Sequence, residues 1–301
     1  GVVIVGAPID SGTSHRSGAK FGPQAIRMGD YLPHDGERPH LALRTDGLKD
    51  MKVVDAGDLL MNGGNLEDSL ALLAAATEKI SRAGAIAVIL GGDHSIASAD
   101  VAGIANHRGK GKISMVHFDA HADTGTDQWG ALVGHGTPMR RLIENGHVRG
   151  DRFLQLGLRG YWPDDATLNW MRDQGMRSYE MTEIHHRGLK AVLDESFATL
   201  TNGCDGVFLS VDIDVVDPGM APGTGTPEPG GMTSRELLEA VRRICLELPV
   251  VGVDIVEVAP PFDSADITAI LANRVVLEAL SAIALRKKGG TYSPTRNLLD
   301  R

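Results

Sequence analysis

Six short apolar runs recur along the chain and constrain its fold more than any other feature. They read VVIVGAP, AIAVIL, ISMVHF, FLQLGL, VFLSVD and VVGVDIVE. A strand with one face in water alternates apolar and polar residues, whereas runs without alternation indicate strands that are covered on both faces. Segments with helical periodicity separate many of these runs. The pattern therefore predicts a largely parallel sheet between two helix layers, an α/β fold.

Helix boundary signals between the runs support this prediction. Asn65 is a residue type that caps helices, and Gly84 follows the amphipathic segment that begins there. A second helix is predicted to begin at Thr233, where TSRE matches a capping box. The apolar segment 267–285 predicts a long and well-buried final helix.

Length and charge narrow the class of protein. The 301 residues contain no Pro-rich or Ser-rich linker and no internal repeat, so residues 1–301 are expected to form a single domain. The 30 basic residues against 39 acidic ones give a formal charge of −9, which argues against nucleic acid as a partner.

Cysteine usage and apolar run length bear on location. Cys204 and Cys245 lie in separate segments without C-x-x-C spacing, so neither a disulfide framework nor a thiolate metal site is predicted. The longest apolar run, residues 83–90, is too short to cross a bilayer, and the opening GVVIVGAPID lacks the basic region of a secretory signal. A cytoplasmic location without a membrane partner is the expectation.

The segment HFDAHAD, residues 117–123, places three metal-ligand residue types at the end of an apolar run. Successive side chains of an extended segment point to opposite sides, so Asp119, His121 and Asp123 project together. Two further strand ends carry similar residues: AVILGGDHS presents His94 after two glycines, and FLSVDIDVVDP carries a pair of aspartates two residues apart. Because ligands bind beyond the carboxyl ends of parallel strands, all these residues are expected to gather in one cluster.

Charge neutrality predicts that this cluster holds metal ions. A single strand-end aspartate is as readily a turn former or helix cap as a ligand, but four buried carboxylates would repel one another strongly without cations. Four aspartates and two neutral imidazoles carry four negative charges, which two divalent ions neutralise. Oxygen-rich ligands with imidazole and no thiolate favour Mn²⁺, with Ni²⁺, Co²⁺ or Fe²⁺ as substitutes. Two such ions can lower the pKa of a water between them, which predicts hydrolysis.

These segments resemble the signature blocks of the ureohydrolase family, the arginases and agmatinases, and are closest to its agmatinase branch. The blocks are GGDHS, DAHAD, SVDIDVVDP with APGTGTPEPGG, and DIVEVAPPFD, and the resemblance extends from GAPIDSGTSHRSGAKFGPQAIR to the final helix. It implies a three-layer α/β/α sandwich around a mainly parallel sheet of about eight strands. It also implies a dimanganese site, hydrolysis of a guanidino group to urea and an amine, and assembly into homo-trimers or hexamers.

The resemblance also assigns roles to individual residues. One metal ion would be held by His94, Asp119, Asp123 and Asp212. The other would be held by His121, Asp119, Asp212 and Asp214, so that Asp119 and Asp212 bridge the pair.

Three of the residues carry catalytic roles by the same resemblance. Glu257 would pair with the substrate guanidinium, for which a carboxylate is suited because it accepts two parallel N–H bonds. His135 would move protons near the metal ions, a task that suits its near-neutral pKa. Asp214 would accept the proton of the attacking water.

The substrate tail is the least constrained part of the prediction. After DAHAD the chain reads TGTDQWGALVGHGTP, without the Asn and Ser pattern of arginases, so agmatine is the leading substrate. The alternatives are 4-guanidinobutyrate, 3-guanidinopropionate, guanidine and a biguanide, the last two with Ni²⁺. Candidate tail-binding residues are Trp129, His15 and Arg16; Arg16 would favour a carboxylate tail unless it is held structurally. A non-catalytic metal-binding subunit of a ureohydrolase complex is the alternative of a different class.

Overall fold

One parallel sheet of eight strands forms the centre of the computed structural model, which describes residues 1–30, 37–296 and 299. The strands are β1 (Val2–Ala7), β2 (Val53–Asp58), β3 (Ile86–Gly91), β4 (Ile113–Phe118), β5 (Val148–Leu158), β6 (Arg177–Glu180), β7 (Gly206–Asp212) and β8 (Val250–Val256). Their order across the sheet is β2-β1-β3-β8-β7-β4-β5-β6, and every neighbouring pair is parallel. The predicted sheet is confirmed.

Helices cover both faces of this sheet. In the described ranges they are α1 (Gly22–Met28), α2 (Leu66–Arg82), α3 (Ala97–Arg108), α4 (Pro138–Glu144), α5 (Asp165–Asp173), α6 (Met181–Arg187), α7 (Leu189–Thr201), α8 (Ser234–Glu247) and α9 (Ile267–Lys287). Helices α2, α3 and α4 share one apolar core with the sheet, and α1 with α6 to α9 share the other. The architecture is the expected three-layer α/β/α sandwich.

Local signals in the sequence account for the helix boundaries. The Asn65 side chain accepts a hydrogen bond from the backbone N–H of Asp68, and Gly84 has a left-handed φ of 71° just after α2. Thr233 and Glu236 form the predicted capping box at the start of α8. These caps satisfy backbone groups that a helix end would otherwise leave without partners.

Helix α9 is long and apolar enough, by length and composition alone, to cross a membrane. In the protein, however, 72% of its most apolar window is buried against the rest of the chain. It packs on α8 and α1 and contributes much of one apolar core. The long, buried final helix predicted from the sequence is therefore confirmed as a core helix.

The two edge strands, β2 and β6, do not coincide with any of the six apolar runs from which strands were predicted. Strand β2 reads VVDAGD and is mostly exposed, and β6 reads RSYE. Residues 163–188 have a polar, helix-like sequence, but Arg177–Glu180 within them forms the strand β6, which separates α5 from α6. An edge strand pairs on one side only, so it forms without the apolar run that marks a strand covered on both faces.

Four adjacent strands, β3, β8, β7 and β4, end at the same level. Ile255 of β8 lies opposite Leu90 on one side and Val211 on the other, and Val211 lies opposite Phe118. The segments that follow these strands therefore emerge side by side at one edge of the sheet. This edge is where open parallel sheets bind ligands.

A polar row lies one residue before these ends. His117 of β4 lies opposite Ser210 of β7, which lies opposite Asp254 of β8, and all three are completely buried. Because neighbouring side chains alternate across a strand, this row faces away from the core that contains Phe118 and Val211, and toward α3. The sheet thus carries a buried polar layer directly beneath the strand ends.

A buried ion pair connects α8 to α9 and gives a stability prediction. The Arg242 guanidinium contacts Glu278, which also lies 3.0 Å from His40 Nε2, and the side chains of the arginine and the glutamate are each 7% exposed. Glu278→Ala should lower the free energy of unfolding by about 1.5–3 kcal/mol, because it removes the buried carboxylate that faces Arg242 and leaves this arginine the partly exposed Glu239. Urea denaturation followed by circular dichroism measures this change.

Glu239→Gln is the matched control, since Glu239 contacts the same arginine from a position that is 31% exposed. It should cost no more than about 1 kcal/mol, as partly exposed ion pairs do. Equal losses for the two variants would contradict the importance of burial at Glu278.

Candidate metal centre

His94 stands at the centre of the first group of predicted ligands. Its Nδ1 atom lies 3.1 Å from Asp119 Oδ2, 3.0 Å from Asp123 Oδ2 and 3.2 Å from Asp212 Oδ2. All four side chains are buried. The four residues predicted to hold one ion are therefore together at the ends of β3, β4 and β7.

The second group forms around His121. Its Nδ1 atom lies 3.3 Å from Asp119 Oδ1 and 3.1 Å from Asp214 Oδ2. Asp119 thus presents one carboxylate oxygen to each group, as a bridging ligand must. Asp212 contributes Oδ2 to the first group, and its Oδ1 accepts a hydrogen bond from Asp214 N at 2.8 Å. Its bridging role stays a prediction.

Hydrogen bonds behind His94 determine which ring nitrogen carries its proton. Ser210 Oγ donates to Asp254 Oδ1 at 2.7 Å and lies 2.9 Å from His94 Nε2. A hydroxyl has one proton to donate, so Ser210 must accept from Nε2–H of His94. The Nδ1 atom of neutral His94 therefore carries a lone pair, facing three carboxylate oxygens.

Such an arrangement requires a cation. His94 Nδ1 is buried and has no hydrogen-bond partner among the described residues. Burial raises the pKa of Asp212 well above its usual range, and the carboxylates of Asp214 and Asp119 raise it further, so the cluster cannot hold all its negative charge unaided. Nitrogen and oxygen donors in two groups, with four negative charges, fit two divalent ions.

A buried carboxyl pair completes the support of His94. Asp254 lies close to Asp100 of α3, and both are fully buried. Burial and the nearby Asp254 carboxylate raise the pKa of Asp100 well above its usual range, which favours the protonated form of Asp100. The chain from Asp100 through Asp254 and Ser210 fixes the orientation and tautomer of His94, as outer hydrogen bonds do for metal-binding histidines.

His117 lies beside the first ligand group and holds one of its members, Asp119, by a hydrogen bond. Gln155 Nε2 donates to Ala122 O at 2.7 Å, which fixes the amide orientation, and also lies 3.1 Å from His117 Nδ1. That ring nitrogen therefore accepts, and Nε2–H of His117 donates to Asp119 Oδ2 at 2.8 Å. His117 orients Asp119 and is not itself a ligand. It precedes Asp119 at the same alternate spacing, a signal from which the sequence alone could have identified it.

Glu257 joins the metal centre to His135. Its Oε1 atom accepts hydrogen bonds from His94 N at 2.8 Å and His135 Nδ1 at 2.9 Å, and its buried Oε2 has no partner among the described residues. His135 Nε2 lies 2.6 Å from Ser14 Oγ. Burial lowers the pKa of His135, but the Glu257 carboxylate and other nearby acids outweigh that and raise it to about 9.

Two of these residues adopt a backbone conformation that L-amino acids rarely take. Asp123 has φ of 52° and Glu257 has φ of 62°. The left-handed region costs a residue with a Cβ atom about 1–2 kcal/mol. Such strain concentrates at functional sites, where the surrounding structure imposes it to aim a side chain.

Gly92 of the GGDHS block is required by a close approach of the backbone. An added Cβ atom there would lie 2.2 Å from Ile9 O. Only glycine fits here because the GGDHS segment packs against the segment after β1. Gly92 O also accepts from Glu257 N at 2.9 Å, which ties the ends of β3 and β8 together.

A cavity of about 400 Å³ opens over both ligand groups, a size typical of small-molecule sites. It is lined by Ser14, His121, Asp123, Gly125, Asp127, Gln128, Trp129, His135, Gly136, Trp162, Asp212 and Thr226. No lysine or arginine from the described ranges lines it.

The three candidate tail-binding residues have different positions. Trp129 lines the cavity, and 80% of its surface is exposed. The Arg16 guanidinium donates to Thr224 O at 2.7 Å and Gly225 O at 3.2 Å, which supports the structural interpretation of this residue. His15 is exposed and lies outside the set that lines the cavity.

Comparison with known proteins agrees with this geometry. Residues 1–282 match the family model described as Arginase family. The chain is 37% identical to the guanidinobutyrase of Pseudomonas aeruginosa over 283 residues, which cover 93% of this chain and 85% of that protein. It is 38% identical to the mitochondrial agmatinase of Gallus gallus over 282 residues, 93% of this chain and 80% of that protein.

A solved structure shows the same relationship in three dimensions. Proclavaminate amidinohydrolase from Streptomyces clavuligerus superposes with a TM-score of 0.86 at 36% identity, covering 95% of this chain and 92% of that one. Family match, sequence identity and fold lead to one conclusion. The chain belongs to the arginase family, the ureohydrolases that its sequence blocks resemble.

Proposed function

We propose that the chain is a binuclear-metal amidinohydrolase that cleaves a guanidino group to urea and an amine. The observation that carries this proposal is the position of Asp119, whose two oxygens face two separate ligand groups within one buried cluster. A site for one metal ion does not need a carboxylate whose two oxygens face separate groups of ligands. The names of the relatives, which are a guanidinobutyrase and an agmatinase, support the same class of reaction.

His94, Asp123 and Asp212 would hold one ion, His121 and Asp214 the other, with Asp119 shared. Mn²⁺ is the proposed metal because carboxylate oxygens dominate the donor set, and Ni²⁺ is the alternative. When bound, such a pair supplies a nucleophilic water at neutral pH and stabilises the charge of the transition state.

Glu257 is proposed to orient the guanidinium. Its Oε1 atom is occupied by His94 N and His135 Nδ1, and Oε2 is left to accept an N–H of the substrate. A Cβ atom added at Gly225 would lie 3.7 Å from this Oε2, so the glycine leaves the space beside the carboxylate open.

Proton transfer is proposed to involve two residues, Asp214 and His135. Asp214 accepts the proton of the attacking water through Oδ2, while Oδ1 is held by Ala120 N at 3.0 Å. His135 is proposed to deliver a proton to the leaving amine from Nε2, which in this structure accepts a hydrogen bond from Ser14 N at 3.0 Å and lies 2.6 Å from Ser14 Oγ. The Glu257 carboxylate and other nearby acids raise the pKa of His135 to about 9, which favours the protonated ring at neutral pH, so Nε2 carries the proton once the substrate displaces Ser14 N.

Agmatine is the proposed substrate, giving putrescine and urea. A carboxylate tail would be matched by a lysine or arginine, and the described residues that line the cavity include neither. Arg16, the candidate for that role, is held by two backbone carbonyl groups and lies 4.2 Å from the centre of the Phe262 ring. The cavity therefore favours a tail that is cationic or neutral.

A urea-release panel tests the proposal. The chain is loaded with Mn²⁺ or with Ni²⁺ and offered agmatine, 4-guanidinobutyrate, 3-guanidinopropionate, arginine, guanidine and a biguanide. We expect the highest kcat/KM for agmatine with Mn²⁺. Two bound ions without urea release from any compound would refute the proposal and favour the non-catalytic subunit.

Glu257→Gln should weaken turnover without removing the metals. Gln can keep an oxygen toward His94 N and His135 Nδ1, but its amide then directs N–H groups at the guanidinium, where an acceptor is needed. Loss of a hydrogen bond to a charged group costs about 1.5–3 kcal/mol, so kcat/KM should fall about tenfold to about 150-fold. Steady-state urea release measures this fall, and elemental analysis should still find two ions.

Glu78→Gln on α2, an exposed pair with Arg82, is the matched control and should change neither quantity. A Glu257→Gln variant that loses its metal would show that this residue supports the ions and does not bind the substrate.

Assembly and location are separate proposals. A homo-trimer or hexamer and a cytoplasmic location are expected from the sequence. Size-exclusion chromatography with light scattering of the metal-loaded protein measures the first.

A further inference from the structure

The loop that runs from Asp123, a predicted metal ligand, to His135 contains a tight hairpin at the cavity mouth. Gln128 and Ala131 pair as an antiparallel bridge, with Gln128 N to Ala131 O at 2.8 Å and the reverse bond at 3.0 Å. The two residues between them, Trp129 and Gly130, both have positive φ, 53° and 85°. This is the geometry of a type I′ turn, for which Asn or Asp followed by Gly is the favoured sequence.

A tryptophan at the first position of such a turn is unfavourable both for its backbone and for its exposure. The left-handed conformation costs it about 1–2 kcal/mol, and 80% of this large apolar side chain is in contact with solvent. A fixed loop holds it there: the Gln128 amide donates to Gly12 O at 2.8 Å and accepts from Gly136 N at 3.2 Å. An observed outlier of this kind indicates a functional demand on the side chain.

A second tryptophan stands at the same cavity. Trp162 also lines it and is 41% exposed. Its ring lies beside the same loop, since Trp162 Cζ2 is 3.6 Å from the position that a Cβ atom of Gly125 would take. Tryptophan is the aromatic residue that attracts cations most strongly through its ring face.

Asp127 adds the charge that a cationic group would need. It is the one carboxylate among the described lining residues that belongs to neither ligand group. Its Oδ1 atom accepts from Gly130 N at 2.8 Å, which fixes the carboxylate at the base of the hairpin. Its Oδ2 atom makes no hydrogen bond or ion pair with a residue in the described ranges, and the side chain is exposed.

The arginines that contact this loop do not neutralise Asp127. Arg140 Nε donates to Thr124 O at 2.8 Å and Arg141 Nη2 to Thr126 O at 3.3 Å. Both guanidinium groups pair with Glu144 instead, at 3.6 Å and 2.9 Å. The carboxylate at the cavity mouth is thus available for a ligand.

The geometry points to Asp127, Trp129 and Trp162 as a subsite for a second, distal cation of the substrate. Resting on the proposed amidinohydrolase function, it selects guanidino compounds that end in an ammonium group and disfavours those that end in a carboxylate. The guanidino group lies at the ligand cluster, and the distal ammonium lies between the Asp127 carboxylate and the two indole rings.

Steady-state urea release with three tails tests this subsite. The Mn²⁺-loaded protein is assayed on agmatine, on 1-butylguanidine, whose tail is neutral, and on 4-guanidinobutyrate, whose tail is anionic. Asp127→Asn should raise KM for agmatine about fivefold, as loss of a partly exposed ion pair does, and leave KM for 1-butylguanidine within about twofold. Asp127→Arg should make 4-guanidinobutyrate the better substrate of the two charged compounds.

Trp129→Gly gives an independent measurement, since glycine takes the same backbone conformation without strain. It should raise KM more for agmatine than for 1-butylguanidine, because only the former loses a cation–π contact. Asp173→Asn, an exposed aspartate at the end of α5, is the control and should change no KM.

The outcomes separate the subsite from the reaction. Urea release in which Asp127→Asn changes KM equally for the charged and neutral tails, or in which 4-guanidinobutyrate is preferred by the unaltered protein, would overturn the subsite and leave the amidinohydrolase function intact. No urea from any of the three compounds with two ions bound would instead overturn the function on which the subsite rests.

Discussion

Asp119→Ala should give a folded protein that retains no metal pair and releases no urea. One substitution removes both oxygens that face the two ligand groups, at 3.1 Å from His94 Nδ1 and 3.3 Å from His121 Nδ1. The unaltered protein should gain about 2.7 kcal/mol of stability at a metal concentration a hundredfold above Kd, and the variant should gain none. Thermal unfolding with and without Mn²⁺, together with elemental analysis, measures both effects.

The metal-free state provides the control for this prediction. Without ions, the variant still loses the hydrogen bonds that Asp119 accepts from His117 Nε2 and His121 N, so it should unfold at a lower temperature than the metal-free parent. The effect of the metal is therefore the change that added Mn²⁺ makes to each protein. A variant that binds two ions and still turns over would remove Asp119 from its bridging role. Since the metal proposal depends on that role, the whole mechanism would then need revision.

His135→Asn should lower kcat by about 10²–10⁴-fold while both ions stay bound, the usual range for loss of a general acid or base. The asparagine amide can still donate to Glu257 Oε1, which His135 Nδ1 contacts at 2.9 Å, so the carboxylate keeps its position. What is lost is the group at Nε2, next to Ser14. Pre-steady-state and steady-state urea release measure kcat and KM separately, and kcat should carry the loss.

A pH profile distinguishes proton transfer from mere positioning. In the unaltered enzyme kcat should decline as pH rises past the raised pKa of His135, because the proton for the leaving amine is then missing. The His135→Asn profile should lack this decline. His185→Asn, an exposed histidine on α6, should match the parent at every pH, and an unchanged profile in His135→Asn would exclude the proposed role.

The sequence predicted the central architecture because its determinants are local. Strands covered on both faces must be apolar, so β4 and β7 are visible as runs, and the residues that follow neighbouring parallel strands emerge at one edge of the sheet. Asp119 and Asp123 could therefore be assigned to one cluster without coordinates. The edge strands were not predicted, because a strand that pairs on one side only does not need an apolar sequence. The mostly exposed β2 is an example.

The support behind the ligands could not be predicted in the same way. Asp100 reaches Asp254 only because α3 covers that face of the sheet, and Gln155 reaches His117 only because β5 pairs with β4. Such contacts depend on layer and strand order, which no spacing in the sequence encodes. The same is true of Arg16, whose carbonyl partners at Thr224 and Gly225 lie on a distant loop.

The left-handed backbone at Asp123 and Glu257 sets a limit on engineering this enzyme. A procedure that optimised thermostability alone would replace both with glycine, which adopts that conformation freely. It would thereby delete a metal ligand and the carboxylate that contacts His135. Thermostability and catalytic activity favour different residues at these two positions. Stabilising substitutions should therefore be sought on the outer helices and at the edges of the sheet.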